Sequence, residues 1–207
     1  MVARNEHEDV YTMMKNLRSV LNFAEDVFGI SPAEDSEDKF VTMTTYSDSI
    51  MVYSKDDSRE SFDLFITAIA CLHEDLFLEN IPHKGAVAFG KMTLDIDNSI
   101  FFGQPLIDAY LLQEELNFYS IVCHASAEKE ILNHGDISGT YLFEYLCYFK
   151  TGRSNHFTIY PMSLGIKKPG LEDKVKKLKM ITSGSLRKYI DNTLDYLSSV
   201  RILINSN

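Results

Sequence analysis

Apolar residues recur at helical spacing over residues 8–28, through Val10, Met13, Met14, Leu17, Val20, Leu21, Ala24, Val27 and Phe28, and Gly29 is placed to stop the helix they predict. The polar run SPAEDSED at 31–38 reads as a loop. Residues 40–46 and 50–54 are rich in Val, Thr, Tyr and Ile, and only Ser-Asp-Ser separates them. That is the pattern of a β-hairpin whose short polar turn carries Asp48. A second helix is predicted over 59–80, ending before Pro82, with Phe62, Phe65, Ile66, Ile69, Leu72, Leu76 and Phe77 along its inward face.

Beyond it, KGAVAFGKMTL at 84–94 reads as one strand, in which Gly85 and Gly90 mark either a close approach of another backbone or a plain bend. A turn at 95–98 leads to a strand at 98–103, then a helix at 104–117 with Pro105 in its first turn, where a missing N–H does no harm. A strand at 118–124 and a short helix at 126–135, closed by Gly135, follow. Two further strands, 140–150 and 156–164, precede a terminal helix at 183–204, and the Lys-rich run at 167–179 reads as a solvated helix face. The order helix, hairpin, helix, two strands, helix, strand predicts an α+β fold. With a strand allowed ahead of the first helix, it becomes the split, ferredoxin-like βαββαβ arrangement, helices on one face of a sheet. That first strand is missing from the pattern.

The length of 207 residues fits one domain, with a core at about 8–165 and a C-terminal helical extension at about 170–204. With 45% hydrophobic and 24% charged residues the chain is not mainly disordered. A net charge of -10 disfavours a surface that gains affinity by neutralising phosphates, so nucleic acid is not an expected partner. The most apolar stretch, FDLFITAIACLHEDLFL, is interrupted by Asp63, His73, Glu74 and Asp75, and no signal segment opens the chain, so no membrane contact is expected. Cys71, Cys123 and Cys147 suggest neither a zinc site nor a disulfide framework, which fits a reducing cytoplasm. His73, His83 and His124 show no paired spacing for a metal and read as surface or internally satisfied groups.

Three segments, taken in order, resemble the class III nucleotide cyclase homology domain. TTYSDSIMVYS (44–54) is similar to that family's metal-binding hairpin, IPHKGAVAFG (81–90) to its Gly-containing strand, and IFFGQPLIDAYLLQEEL (100–116) to the segment that lines its nucleotide pocket. A closer likeness is to the bacterial pyrimidine cyclases of the Pycsar anti-phage systems, and the late KYIDNT at 188–193 extends it over most of the chain. The resemblance implies a magnesium- or manganese-dependent enzyme that converts UTP or CTP to the 3′,5′-cyclic nucleotide and pyrophosphate. It also implies a homodimer, and a separate effector that responds to the product.

Cyclisation has the 3′-hydroxyl attack the α-phosphorus while pyrophosphate leaves, and both oxygens carry negative charge that divalent cations stabilise. Magnesium takes oxygen ligands, so Asp48 suits it as a metal ligand and catalytic residue; the plain alternative is an Asp that favours the turn. In adenylyl cyclases a Lys and an Asp recognise adenine. Here those positions fall on Thr44 and Ile100, which removes roughly 1–3 kcal/mol of discrimination per missing partner and disfavours ATP. Tyr46, two residues from Asp48, is positioned to shrink the base site to pyrimidine size, or else is an ordinary sheet aromatic. The family's transition-state Asn and Arg fall on Ile107 and Leu111. Asp108 is therefore a candidate catalytic group, and Lys84, Lys150 or Arg153 are candidates for ribose and phosphate contacts.

The family also uses an Asp in a DIxGF-like first strand. No such segment precedes the first helix here, and Asp9 is a poor replacement. A missing N-terminus, a late start codon or lost catalysis would each account for this; the exposed centre of a sheet favours a missing N-terminus. A diguanylate cyclase would carry GG(D/E)EF where TYSDSI stands. A catalytically degenerate module that binds nucleotide or a protein partner remains the alternative.

Overall fold

The computed structural model describes residues 11, 12, 15–19, 41–46, 49–95, 98, 100–135, 140–162 and 170–206. Residues 11, 12 and 15–19 are helical. The rest of the predicted first helix, the loop at 31–38, Asp9 and Asp48 lie outside the described residues.

The hairpin forms as its alternation predicts. β1 (Val41–Tyr46) pairs antiparallel with β2 (Ser49–Ser54), in a register from Val41 opposite Ser54 to Tyr46 opposite Ser49. α1 (Arg59–Leu78) follows, started by Ser58, whose hydroxyl accepts from the backbone N–H of Ser61 at 3.2 Å. Its inward face holds Ile66, Ile69, Leu72, Leu76 and Phe77 as expected, but also Ala68, Ala70 and His73. Phe62 and Phe65 are half-buried at its margin.

The predicted strand at 84–94 is two strands in two sheets: β3 (Gly85–Val87) and β4 (Thr93–Asp95). Gly90 divides them. Its φ of 150° is one that side chains disfavour, and a Cβ there would lie 2.9 Å from Cγ of Pro105. The glycine therefore marks both a bend and a close approach. β4 pairs antiparallel with β5 (Ile100–Phe102), and Asp95 closes the turn by accepting from the backbone N–H of Asn98 at 3.0 Å. Then come α2 (Gln104–Glu115), β6 (Ile121–Cys123) and α3 (Ala125–His134). Two longer strands, β7 (Leu142–Phe149) and β8 (Gly152–Ile159), precede α4 (Leu171–Ile181) and α5 (Ser185–Ser206).

The main sheet has the order β3-β6-β8-β7, with β3 and β6 parallel and the other pairs antiparallel. Helices cover both its faces, not one. Ile121 and Cys123 of β6 join Ile66, Ile69 and Ala70 of α1 and Ala127 and Ile131 of α3 on one side. Val122, between them, points the other way, into a core with Leu171 and Val175 of α4 and Ile190, Tyr196, Leu197 and Val200 of α5. The helical extension is thus one layer of the fold, and the Lys-rich run buries an apolar edge. The architecture is α+β. Among the described residues the β1–β2 hairpin is not hydrogen-bonded into the main sheet; it packs on α1 through Val41, Met43, Ala68, Leu72 and Leu76.

Candidate functional site

The parallel pair β3 and β6 places two turns side by side at their carboxyl ends, where open α/β sheets place ligands. The turn after β6 opens α3, with His124 as its N-cap: the ring's Nδ1 accepts from the backbone N–H of Ser126 at 3.3 Å. The Ser126 hydroxyl accepts the backbone N–H of Phe89 at 3.0 Å and lies 3.0 Å from the same Nδ1, to which it donates. With Nδ1 an acceptor, the imidazole carries its proton on Nε2. Asp108, on the second turn of α2, brings Oδ2 to 3.7 Å from His124 Nδ1, and its Oδ1 accepts from the Gln104 amide at 2.7 Å. Asp108, His124, Gln104 and Ser126 therefore form one polar cluster. Ser126 and Asp108 address the same ring nitrogen, so this is not the relay of a Ser-His-Asp hydrolase, which uses both nitrogens.

Lys84 stands at the other end of α2. It precedes β3, and its Nζ lies 3.4 Å from Oε1 of Glu114 in a half-exposed ion pair. Lys84 and Asp108 are thus separated along the helix, and the structure does not bring them to one ligand. Thr44 lies half-buried on β1 opposite Met51, and Ile100 begins β5, 48% exposed. Tyr46 pairs with Ser49 at the hairpin tip. Its side chain, like Asp48, lies outside the described residues. Arg153 stacks over the Tyr148 ring at 4.0 Å and donates to the Leu146 carbonyl, so it is occupied in holding β7.

The three histidines differ in kind. His73, fully buried, and His83, partly buried, form a pair: Nδ1 of His83 donates to the Ile81 carbonyl, so its Nε2 accepts from Nδ1–H of His73. His73 Nε2 is then a buried lone pair without a hydrogen-bond partner among the described residues. Burial holds His73 well below the usual histidine range and lowers His83 to about 4. Among the described residues no group of three or more His, Cys, Asp and Glu is arranged to hold a metal ion. Asp48, whose carboxylate has the hard-oxygen chemistry magnesium takes, lies outside the described residues.

Sequence reasoning missed His124 and Ser126 as neighbours of Asp108, because the parallel β3–β6 pairing that joins them is non-local. It also missed the work of KYIDNT. Asn192 donates to the Asn117 carbonyl at 2.7 Å, and Thr193 Oγ1 accepts from the Tyr119 N–H at 2.8 Å. Both satisfy backbone groups of the irregular segment before β6. Two polar residues on the apolar face of an amphipathic helix were the available signal. Among the described residues no helix is long and apolar enough to cross a membrane. No family model, curated protein or solved structure matches the chain.

Proposed function

We propose that this chain is a cytoplasmic pyrimidine nucleotide cyclase, built on a class III cyclase core, that converts UTP or CTP to the cyclic nucleotide as a signal to a separate effector in anti-phage defence. The ordered run of segments from Thr42 to Leu116 carries this reading, with Thr44 and Ile100 standing where an adenine-specific site has charged groups. The paired strands β1 and β2 support it, with Asp48 lying between them in sequence. In the reaction the 3′-oxygen forms a bond to the α-phosphorus while the bond to pyrophosphate breaks. Bound magnesium or manganese would supply charge neutralisation at those oxygens. Asp48 is the one protein ligand the reading assigns to it. The enzyme acts as a homodimer.

Incubation of the full chain with each of the four nucleoside triphosphates and Mg²⁺ or Mn²⁺, followed by chromatography, is expected to yield cyclic UMP or cyclic CMP. Asp48→Asn is expected to lower that yield at least about 100-fold, more than loss of an outer-sphere partner costs. Neither product from folded wild-type dimer overturns the reading. A second reading, a degenerate module that binds nucleotide without turnover, is favoured by the separation of Lys84 from Asp108 along α2. Calorimetric binding of UTP or CTP without product would establish it.

A further inference from the structure

The chain's charge is unevenly spread. Its net charge is -10, yet residues 174–190 hold five Lys, one Arg and no Asp or Glu. This stretch is the turn between α4 and α5: the later part of α4, a connection at 182–184 and the first turn of α5. The two helices are anchored behind the turn, where Leu171 and Val175 of α4 share a core with Ile190, Leu197 and Val200 of α5. In front of it, residues 183–188 are exposed without a break. Met180, at 86%, is the most exposed large apolar side chain among the described residues, and Leu186, across the connection, is 38% exposed.

The cations at this turn are differently occupied. Lys174 reaches back to the Leu78 carbonyl at 3.0 Å and is half-buried. Lys179 pairs with Asp191 at 2.5 Å, and Lys176 with Asp173 at 3.1 Å in a largely exposed pair. Lys177, Arg187 and Lys188 are exposed and have no ion-pair partner among the described residues. Lys176 is five residues from the end of α4. At about 1.5 Å per residue, the cations from there onward start within about 8 Å of the helix end, about one Debye length at physiological salt. An anionic surface met at the turn therefore acts on these cations, while acidic groups farther back are largely screened from it. That is how a chain of negative total charge can still meet such a surface.

The side chains at the turn select the kind of surface. Single-stranded nucleic acid is held by cations interleaved with aromatic rings on which bases stack. The one aromatic residue of the stretch, Tyr189, is half-buried and packed on Tyr119, with ring centroids 5.7 Å apart. Protein interfaces are enriched in Arg and aromatic residues and depleted in Lys, the reverse of five Lys to one Arg. A bilayer takes Lys as point charges on its anionic headgroups and apolar side chains beneath them, and cations beside exposed Met180 and Leu186 supply both.

We propose that the α4–α5 turn docks on the anionic headgroup surface of a lipid bilayer, with Lys177, Arg187 and Lys188 on headgroup phosphates and Met180 and Leu186 entering between them. The contact is peripheral. It departs from the expectation of no membrane contact, which followed from the want of an apolar span, and it does not rest on the proposed reaction. Co-sedimentation of the full chain with phosphatidylcholine vesicles holding about 30% phosphatidylglycerol, at about 0.1 M salt, is expected to show binding, with none to phosphatidylcholine alone and release at about 0.5 M salt. Each cation near such a surface is worth about fivefold in affinity. Lys177→Gln, Arg187→Gln and Lys188→Gln combined are therefore expected to lower the partition coefficient about 100-fold with unchanged circular dichroism. Met180→Ser is expected to lower it about fivefold, and Lys129→Gln, exposed on α3, to leave it alone. No binding to the anionic vesicles, equal binding to neutral ones, or a triple variant that partitions like wild type would overturn the contact. So would single-stranded DNA that binds the turn more tightly than the vesicles do at the same salt.

Discussion

His73 and His83 sit where burial favours the neutral imidazole: His73 is fully enclosed, His83 partly so, and the one lone pair left over, at His73 Nε2, meets no donor among the described residues. The unfolded chain takes up protons near the ordinary histidine value of 6.5, whereas the folded pair resists protonation down to about 4 at His83 and low for His73 as well. The pair's contribution is therefore intact above pH 6.5 and is lost as pH falls through the interval from 6.5 to about 4. Each histidine contributes a slope of up to about 1.4 kcal/mol per pH unit there. Urea unfolding from pH 7.5 to 4.5 is expected to show stability falling with acid; a flat profile would disprove it. The sequence reads these histidines as surface or internally satisfied groups, and the Nε2 of buried His73, unpartnered among the described residues, departs from that reading. It could not show the pair, because the turn at Ile81 that folds His83 back onto α1 lies beyond the helix pattern.

At the scale of elements, α5 does two kinds of work. Ile190, Tyr196, Leu197 and Val200 cover the sheet, while Asn192 and Thr193 take the backbone groups of the chain entering β6. Asp195 adds a third tie, accepting from the hydroxyls of Tyr145 at 2.7 Å and Tyr148 at 2.8 Å. Thr193→Val keeps the volume but leaves the buried Tyr119 N–H unpaired, which costs about 1–3 kcal/mol. Chemical denaturation is expected to show that loss, with Thr193→Ser close to wild type; equal loss in both would assign the role to the methyl group. The same helix shows what was legible. Its apolar period gave its extent, and the hairpin, α1, α2 and α3 were read to within a few residues. The strand at 84–94 was not, since its apolar run continues across Gly90 while the backbone does not. The first half of β8, Gly152–Asn155, is polar and exposed on both faces, so no alternation announced it.

For the whole molecule, the metal of the proposed reaction, held by the single carboxylate assigned to it, would contribute to chemistry and little to folding. EDTA is thus expected to abolish cyclic nucleotide formation while leaving the melting temperature within about 2 °C; a fall of more than about 5 °C would mean a structural metal instead. The sequence by itself determined the α+β class, the hairpin that holds Asp48 and the positions of most helices, because these follow from short-range periodicity and turn chemistry. Only the tertiary structure decided that helices cover both faces of the sheet, that Asp108 meets His124 and that Lys84 meets Glu114. Those outcomes depend on strand order and on which helix face finds a partner, and both are set by contacts between residues distant in the chain.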